Sequence, residues 1–252
     1  MYRSLAIACV LASSPALAED VPTTLEALGE RLFFDVNLSA NRTQSCASCH
    51  DPERGFADPR GMASIGDDGE SLGDRNAPSA AYAAFTPEFH KNADNIWAGG
   101  QFWDGRANQL EDQAGGPPLN PIEMGMGDEA AVVARLLENP LYTQAFPALF
   151  DAEVLNDPKT GYTAMTDAIA AFERTEIFAP FDSKYDRFLR GDVELTRAED
   201  LGRVLFFSEQ FTNCNLCHQL GKSVMDPQET FTNYEHHNIG VPENQALREL
   251  NG

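Results

Sequence analysis

Cys46-Ala-Ser-Cys49-His50 and Cys214-Asn-Leu-Cys217-His218 decide how this chain is read. Each is a C-x-x-C-H pentapeptide, the pattern through which a c-type haem is attached. Two thiols join the porphyrin vinyl groups by thioether bonds. The adjacent imidazole is then placed to ligate iron and hold its proximal side. One such pentapeptide has other readings, a redox dithiol or half of a zinc site. Four cysteines in an exported chain could also form two disulfides. Two copies that together use every cysteine beyond Cys9 favour two covalent haems over zinc or disulfides.

Upstream of each pentapeptide a second pattern repeats. Leu28-Gly-Glu-Arg-Leu-Phe-Phe-Asp35 matches Leu201-Gly-Arg-Val-Leu-Phe-Phe-Ser208. Leu28 and Leu32 fall one helical turn apart, as do Leu201 and Leu205. Thr23 or Thr24 offers a start for the first helix, and Thr196-x-x-Glu199 reads as a capping box for the second. Eighteen residues separate Leu28 from Cys46 and thirteen separate Leu201 from Cys214, so the second intervening loop is five residues shorter. Each half reads as helix, loop, C-x-x-C-H. Two such units imply a duplicated domain rather than a solenoid, which needs several shorter repeats. A length of 252 residues suits two small domains.

Residues 1–18 read as a secretory signal. Arg3 gives the positive start, Leu5 to Ala12 the apolar core, and Ala16-Leu-Ala18 a small-x-small cleavage site. A short buried helix is the alternative. Cleavage would remove Cys9 and Arg3, taking the formal charge from -21 to -22. Such acidity repels nucleic acid and anionic lipid. It attracts cationic partners, a small basic electron carrier among them, or serves solubility alone. No run of 18 apolar residues follows the leader, which excludes a membrane-spanning helix there.

Between the repeats the pattern predicts a helix over Asp128 to Leu137, with Val132, Val133, Leu136 and Leu137 as its apolar face, and another over Met165 to Phe178. Residues 51–80 and 113–127 read as long loops that could wall a haem pocket. Asp182 to Asp192 looks like a hinge. Trp103, in Gly99-Gly-Gln-Phe-Trp-Asp-Gly-Arg106, is either a core aromatic or an electron path between the haems. Gln113 and Glu123 flank a proline-stiffened stretch. Glu123 is either a solvated loop carboxylate or an acid–base group poised for peroxide cleavage.

Taken with Asp74-Arg-Asn-Ala-Pro-Ser79, Gln101-Phe-Trp-Asp-Gly-Arg106, Asn120-Pro-Ile-Glu-Met124, Phe181-Asp-Ser-Lys-Tyr-Asp-Arg-Phe188 and Glu235-His-His-Asn-Ile-Gly240, these motifs resemble the bacterial dihaem cytochrome c peroxidase family, its MauG branch included. The resemblance covers nearly the whole mature chain. It implies an all-α protein of two cytochrome c-like haem domains with long irregular loops, in the periplasm. Residues 19–180 would carry the peroxide-reacting haem on Cys46, Cys49 and His50. Residues 181–252 would carry the electron-transfer haem on Cys214, Cys217 and His218. Trp103 would lie between the haems, Glu123 would be the acid–base catalyst with Gln113 beside it, and Asn76 would hold a calcium ion, an oxygen-seeking cation. Peroxidases of this family reduce hydrogen peroxide with electrons from small c-type cytochromes or cupredoxins, and a homodimer is possible. Members of the MauG branch oxidise residues of a partner protein instead.

Three departures bear on function. Peroxidases of the family commonly cap the first iron with a histidine from the loop after the motif. Here Ser64-Ile-Gly-Asp-Asp-Gly69 has none, which implies a five-coordinate, open first haem, with His90 a poor substitute. The MauG branch has a tryptophan just upstream of its second motif, where this chain has Phe211-Thr212-Asn213. The family also continues beyond the Asn-Ile-Gly segment, and that tail supplies the second haem's distal ligand. The sequence is therefore read as a truncated C-terminal domain; in a genuinely short protein His236 could ligate instead. A dihaem cytochrome without enzymatic activity is the third functional reading.

Overall fold

The computed structural model describes residues 20–220 and 228–251, so the leader expected at 1–18 lies outside the described residues. Helices dominate. In chain order they are α1 (Leu25–Phe33), α2 (Cys46–Cys49), α3 (Leu110–Ala114), α4 (Gly116–Leu119), α5 (Glu129–Leu137), α6 (Pro140–Leu149), α7 (Pro158–Glu173), α8 (Lys184–Leu189), α9 (Arg197–Phe206) and α10 (Gln245–Asn251). A short antiparallel hairpin, β1 (His90–Lys91) with β2 (Trp97–Ala98), interrupts the long loops.

The core forms where α1 lies on α7. Thr24 caps α1 by accepting from the Ala27 N–H at 3.2 Å. The face it starts buries Leu28, Leu32 and Phe33 completely, against α7 residues that include Met165, Ala168, Ile169 and Phe172. Burial of each such side chain stabilises by about 1.5–3 kcal/mol. Gly29 makes the approach possible. A Cβ there would sit 1.9 Å from the Ala168 carbonyl oxygen. Its repeat counterpart Gly202 has nothing within 4 Å. Helix α9 forms as its capping box predicts, with Thr196 N–H on Glu199 at 2.7 Å, yet buries none of its residues. The two copies thus share local structure but not depth of burial.

Several elements differ from the sequence reading. The helix expected from Met165 starts at Pro158, because Asp157 caps it through the Thr160 N–H (2.9 Å) and proline suits the first helical position. It ends at Glu173, and Glu176–Phe178 form a separate 3-10 turn. Helix α5 matches, with Asp128 as its cap, but Leu137 is exposed rather than on the apolar face. The stretch 113–127 is not one irregular loop: it holds the end of α3 and all of α4, whose first turn is built on proline. The segment expected as a hinge contains α8, capped by Ser183 and Asp186 in a reciprocal box.

The hairpin joins the two repeats. Gly99 N–H donates to the Tyr234 carbonyl and His236 N–H to the Trp97 carbonyl, both at 2.8 Å. The Asn92 amide donates to Glu235 at 2.7 Å.

Candidate functional site

The first pentapeptide is a single helical turn. Ser39, fully buried, prepares it: its Oγ accepts from the N–H groups of Thr43 and Gln44, both at 3.1 Å. The Ser45 N–H then donates to Ser48 Oγ at 3.0 Å and the His50 N–H to the Cys46 carbonyl at 2.9 Å. Cys46, Cys49 and His50 consequently face one cavity of about 1150 Å³. That exceeds the roughly 300–1,000 Å³ of common ligand pockets and suits a group as large as a porphyrin. Both cysteines are free of disulfides. Burial pushes the Cys46 thiol up to about 12, with the charge of Glu173 adding to it. Burial raises Cys49 as well, against the opposing charge of Arg60. Burial also lowers His50, keeping its imidazole neutral, and Nδ1 lies 3.1 Å from the Phe56 carbonyl. That partner makes Nδ1 the protonated nitrogen and leaves Nε2 for a metal.

The second pentapeptide repeats this arrangement. His218 Nδ1 lies 3.1 Å from the Phe231 carbonyl. Phe56 and Phe231 both take left-handed backbones, with φ of 58° and 55°. Each then packs edge-on against the middle aromatic of its Leu-Phe-Phe: Phe33–Phe56 at 6.3 Å and 77°, Phe206–Phe231 at 6.2 Å and 82°. The difference lies in cover. Cys217 and His218 are exposed, as are Phe211 and Leu216.

Glu123 and Gln113 both line the first cavity, as do Trp103 and Asn76. Helix α3 carries Gln113. Glu123 follows α4, with its N–H on the Asn120 carbonyl (3.1 Å) and its own carbonyl taking the Asp67 N–H (2.8 Å). The Asp67 contact comes from the loop that lacks a histidine. This loop is a small hairpin, closed by Gly66 N–H to the Ser71 carbonyl at 2.8 Å. Burial raises the pKa of Glu123, with Arg106 pulling it down and Asp74 pushing it up. Arg106 is itself clamped, 3.6 Å over the Phe102 ring and 2.8 Å from Asp104. The Trp103 Nε1–H donates to the Asn76 carbonyl at 2.9 Å, so these two residues form one unit. Asn76 Nδ2 donates to the carbonyls of Asp58 and Gly61, leaving Oδ1 for another partner.

The other histidines are placed differently. His90 lies on the hairpin, its Nδ1 against the Glu88 carbonyl. His236 has Nε2 on the Gly99 carbonyl at 2.9 Å and braces the hairpin. Its neighbour His237, which the sequence does not single out, lines the first cavity and pairs with Glu235 at 3.0 Å. Glu173 also went unsignalled. It looks like one more polar position on an amphipathic helix, yet it is buried in the cavity wall and burial pushes its carboxyl up to about 8.

The di-haem cytochrome c peroxidase model matches residues 23–194. The chain belongs to that family. Over 98% of its length it is 50% identical to the methylamine utilization protein MauG of Paracoccus denitrificans (strain Pd 1222), of which it covers 65%. It is 38% identical over 80% of its length to the cytochrome c peroxidase Ccp of Escherichia coli (strain K12), covering 39% of that protein. The diheme peroxidase BthA of Burkholderia thailandensis E264 superposes on 89% of the chain with a TM-score of 0.83 and 35% identity, and 56% of BthA is covered. This family member thus spans less than two thirds of each of these three relatives. Two attachment motifs agree with a dihaem family.

Proposed function

We propose that this chain is the haem-bearing portion of a periplasmic dihaem c-type peroxidase, which reduces hydrogen peroxide with electrons from a small c-type cytochrome or cupredoxin. The observation that carries the reading is that Glu123 and Gln113 share one cavity wall with Cys46, Cys49 and His50. Bound to those three residues, the haem supplies an iron centre for electron exchange with peroxide. Glu123 takes a proton from one peroxide oxygen and returns it to the departing one. Burial raises its pKa, so its protonated form persists to higher pH than that of an exposed glutamate and is available for the second half of that task. The Gln113 amide offers an N–H to orient peroxide. Trp103 would carry electrons between the two haems, and Asn76 would offer Oδ1 to calcium. Cys214, Cys217 and His218 carry the electron-transfer haem.

MauG-like oxidation of a partner protein is the second reading, favoured by 50% identity to MauG along almost the whole chain. Thr212 stands against a relay of the MauG kind. Glu123→Gln in the holoprotein separates both enzyme readings from a simple electron carrier. The expected result is a loss of about 10²–10⁴-fold in the rate of reaction with peroxide, at unchanged haem content. An unchanged rate removes Glu123 from its role. Two low-spin, six-coordinate haems inert to peroxide would establish the carrier instead. A periplasmic protein found by mass spectrometry to gain oxidised tryptophan or tyrosine would select the MauG-like reading.

A further inference from the structure

Glu173 is a titratable group in the first cavity that the peroxide chemistry leaves unused. It stands in the last turn of α7, on the wall shared with Cys46, Cys49, His50 and Glu123. The residue is 5% exposed, and Oε2 is buried with no hydrogen-bond partner. A bare buried carboxylate oxygen is costly, so the neutral acid is favoured. Arg174, next in the chain, is engaged with Glu111 at 2.7 Å, so its charge reaches Glu173 only in part. Glu173 in turn acts on Cys46, where its charge is the second cause of the raised thiol pKa. The carboxyl therefore senses charge at the point where the cofactor is attached.

We infer that Glu173 is the proton-exchanging carboxyl of the N-terminal haem pocket: it takes up one proton from solvent when the haem attached at Cys46 and Cys49 accepts one electron, and releases it when the electron leaves. The inference rests on the reading that a haem is attached there. The electron comes from the redox donor of that reading, or from an electrode. Reduction adds one negative charge to the pocket and the proton cancels it, so burial makes the coupled transfer easier than either alone. The groups facing Glu173 do not replace it. Cys46 has no proton to exchange once it is a thioether. Tyr162, near Cys46, keeps its proton because burial raises it further, and its hydroxyl donates to the Gly115 carbonyl at 2.6 Å. Glu111 is held below the usual carboxylate range by Arg174 despite partial burial. Across the cavity His50 would ligate iron. Of the other carboxyls in the lining, Asp104 is kept below the usual range by Arg106 and Arg75 against partial burial, Asp74 pairs with Arg248 at 2.7 Å, Glu243 is exposed, and Glu123 is the rival that the test separates.

The test is a potentiometric titration of the holoprotein from about pH 6 to about pH 10, following the absorbance of the N-terminal haem. Burial places the Glu173 carboxyl at about 8, so the midpoint potential is expected to fall with pH over an interval around that value. The fall disappears in Glu173→Gln and persists in Glu123→Gln. Persistence in Glu173→Gln, loss in Glu123→Gln, or a flat wild-type profile each overturns the inference. Should Glu173→Gln not fold, proton uptake by the wild-type protein on reduction at an electrode decides: a pH-dependent uptake, at most one proton per N-terminal haem, around pH 8 supports it, and none refutes it. A haemochrome assay of the same sample separates the underlying reading. Absence of covalent haem at Cys46 and Cys49 overturns both, whereas haem with no pH dependence overturns the inference alone.

Discussion

Gly29→Ala and Gly202→Ala place one methyl group at matching positions of the two repeats, and opposite outcomes are expected. At Gly29 the new Cβ would lie 1.9 Å from the Ala168 carbonyl oxygen, 2.6 Å from its carbon and 2.8 Å from Phe172 Cβ. Two of these obstacles are backbone, so no rotamer change relieves them. Helices α1 and α7 must part by about 1.5 Å to restore ordinary contact. That separation loosens the packing of Leu28, Leu32 and Phe33, all fully buried. A loss of about 3 kcal/mol, the upper end for overpacking, is expected. Gly202→Ala meets nothing within 4 Å and replaces a poor helix former inside α9, for a gain of roughly 0.8–1 kcal/mol. Guanidinium denaturation of the holoproteins, followed by circular dichroism, measures both. Equal effects at the two sites would refute the claim that only the first helix is closely approached at its glycine.

Three further outcomes follow from the cavity. Because burial raises Glu123, the acid limb of the peroxide pH–rate profile is expected above the ordinary glutamate pKa of about 4.3, and it vanishes in Glu123→Gln. The rate grows as pH rises through that limb, since the ionised form must first accept a proton. Arg106→Leu removes the cation that opposes the shift and moves the limb to higher pH, read from the same profile. Trp103→Phe keeps an aromatic ring but loses the Nε1–H bond to Asn76; stopped-flow reduction is expected to show electron passage between the haems slowed roughly tenfold, equivalent to about 1.4 kcal/mol of barrier, with haem content unchanged.

What the sequence discloses here is local chemistry. The Leu-Gly-x-x-Leu-Phe-Phe helices and the Thr196 cap involve partners within one or two turns, and they form as read; the helix read from Asp128 also forms, with Asp128 as its cap rather than its first residue. Gln113, Glu123, Trp103 and Asn76 were picked by motif, and they meet in one cavity with the first pentapeptide. Long-range selection stayed hidden. The carbonyls that hold the two histidines come from residues six and thirteen positions downstream, at unequal spacing, and from phenylalanines in a backbone region that residue type disfavours. Glu173 was invisible for a similar reason, because helical periodicity does not say which polar position faces inward. Prolines misled the reading of 113–127, where they open a helical turn rather than prevent one.

The hairpin that bridges the repeats has a mechanical meaning. Tyr234, whose carbonyl receives the Gly99 N–H, is only three residues beyond Phe231, which holds His218. On the other side, Gly99 leads within four residues to Trp103 and its bond to Asn76. The segment that holds His218 and the Trp103–Asn76 wall of the first cavity are therefore joined through one hydrogen-bonded ribbon, with few residues between. A displacement of the Phe231 segment, which steadies one imidazole, thus has a short hydrogen-bonded route to the wall of the other pocket.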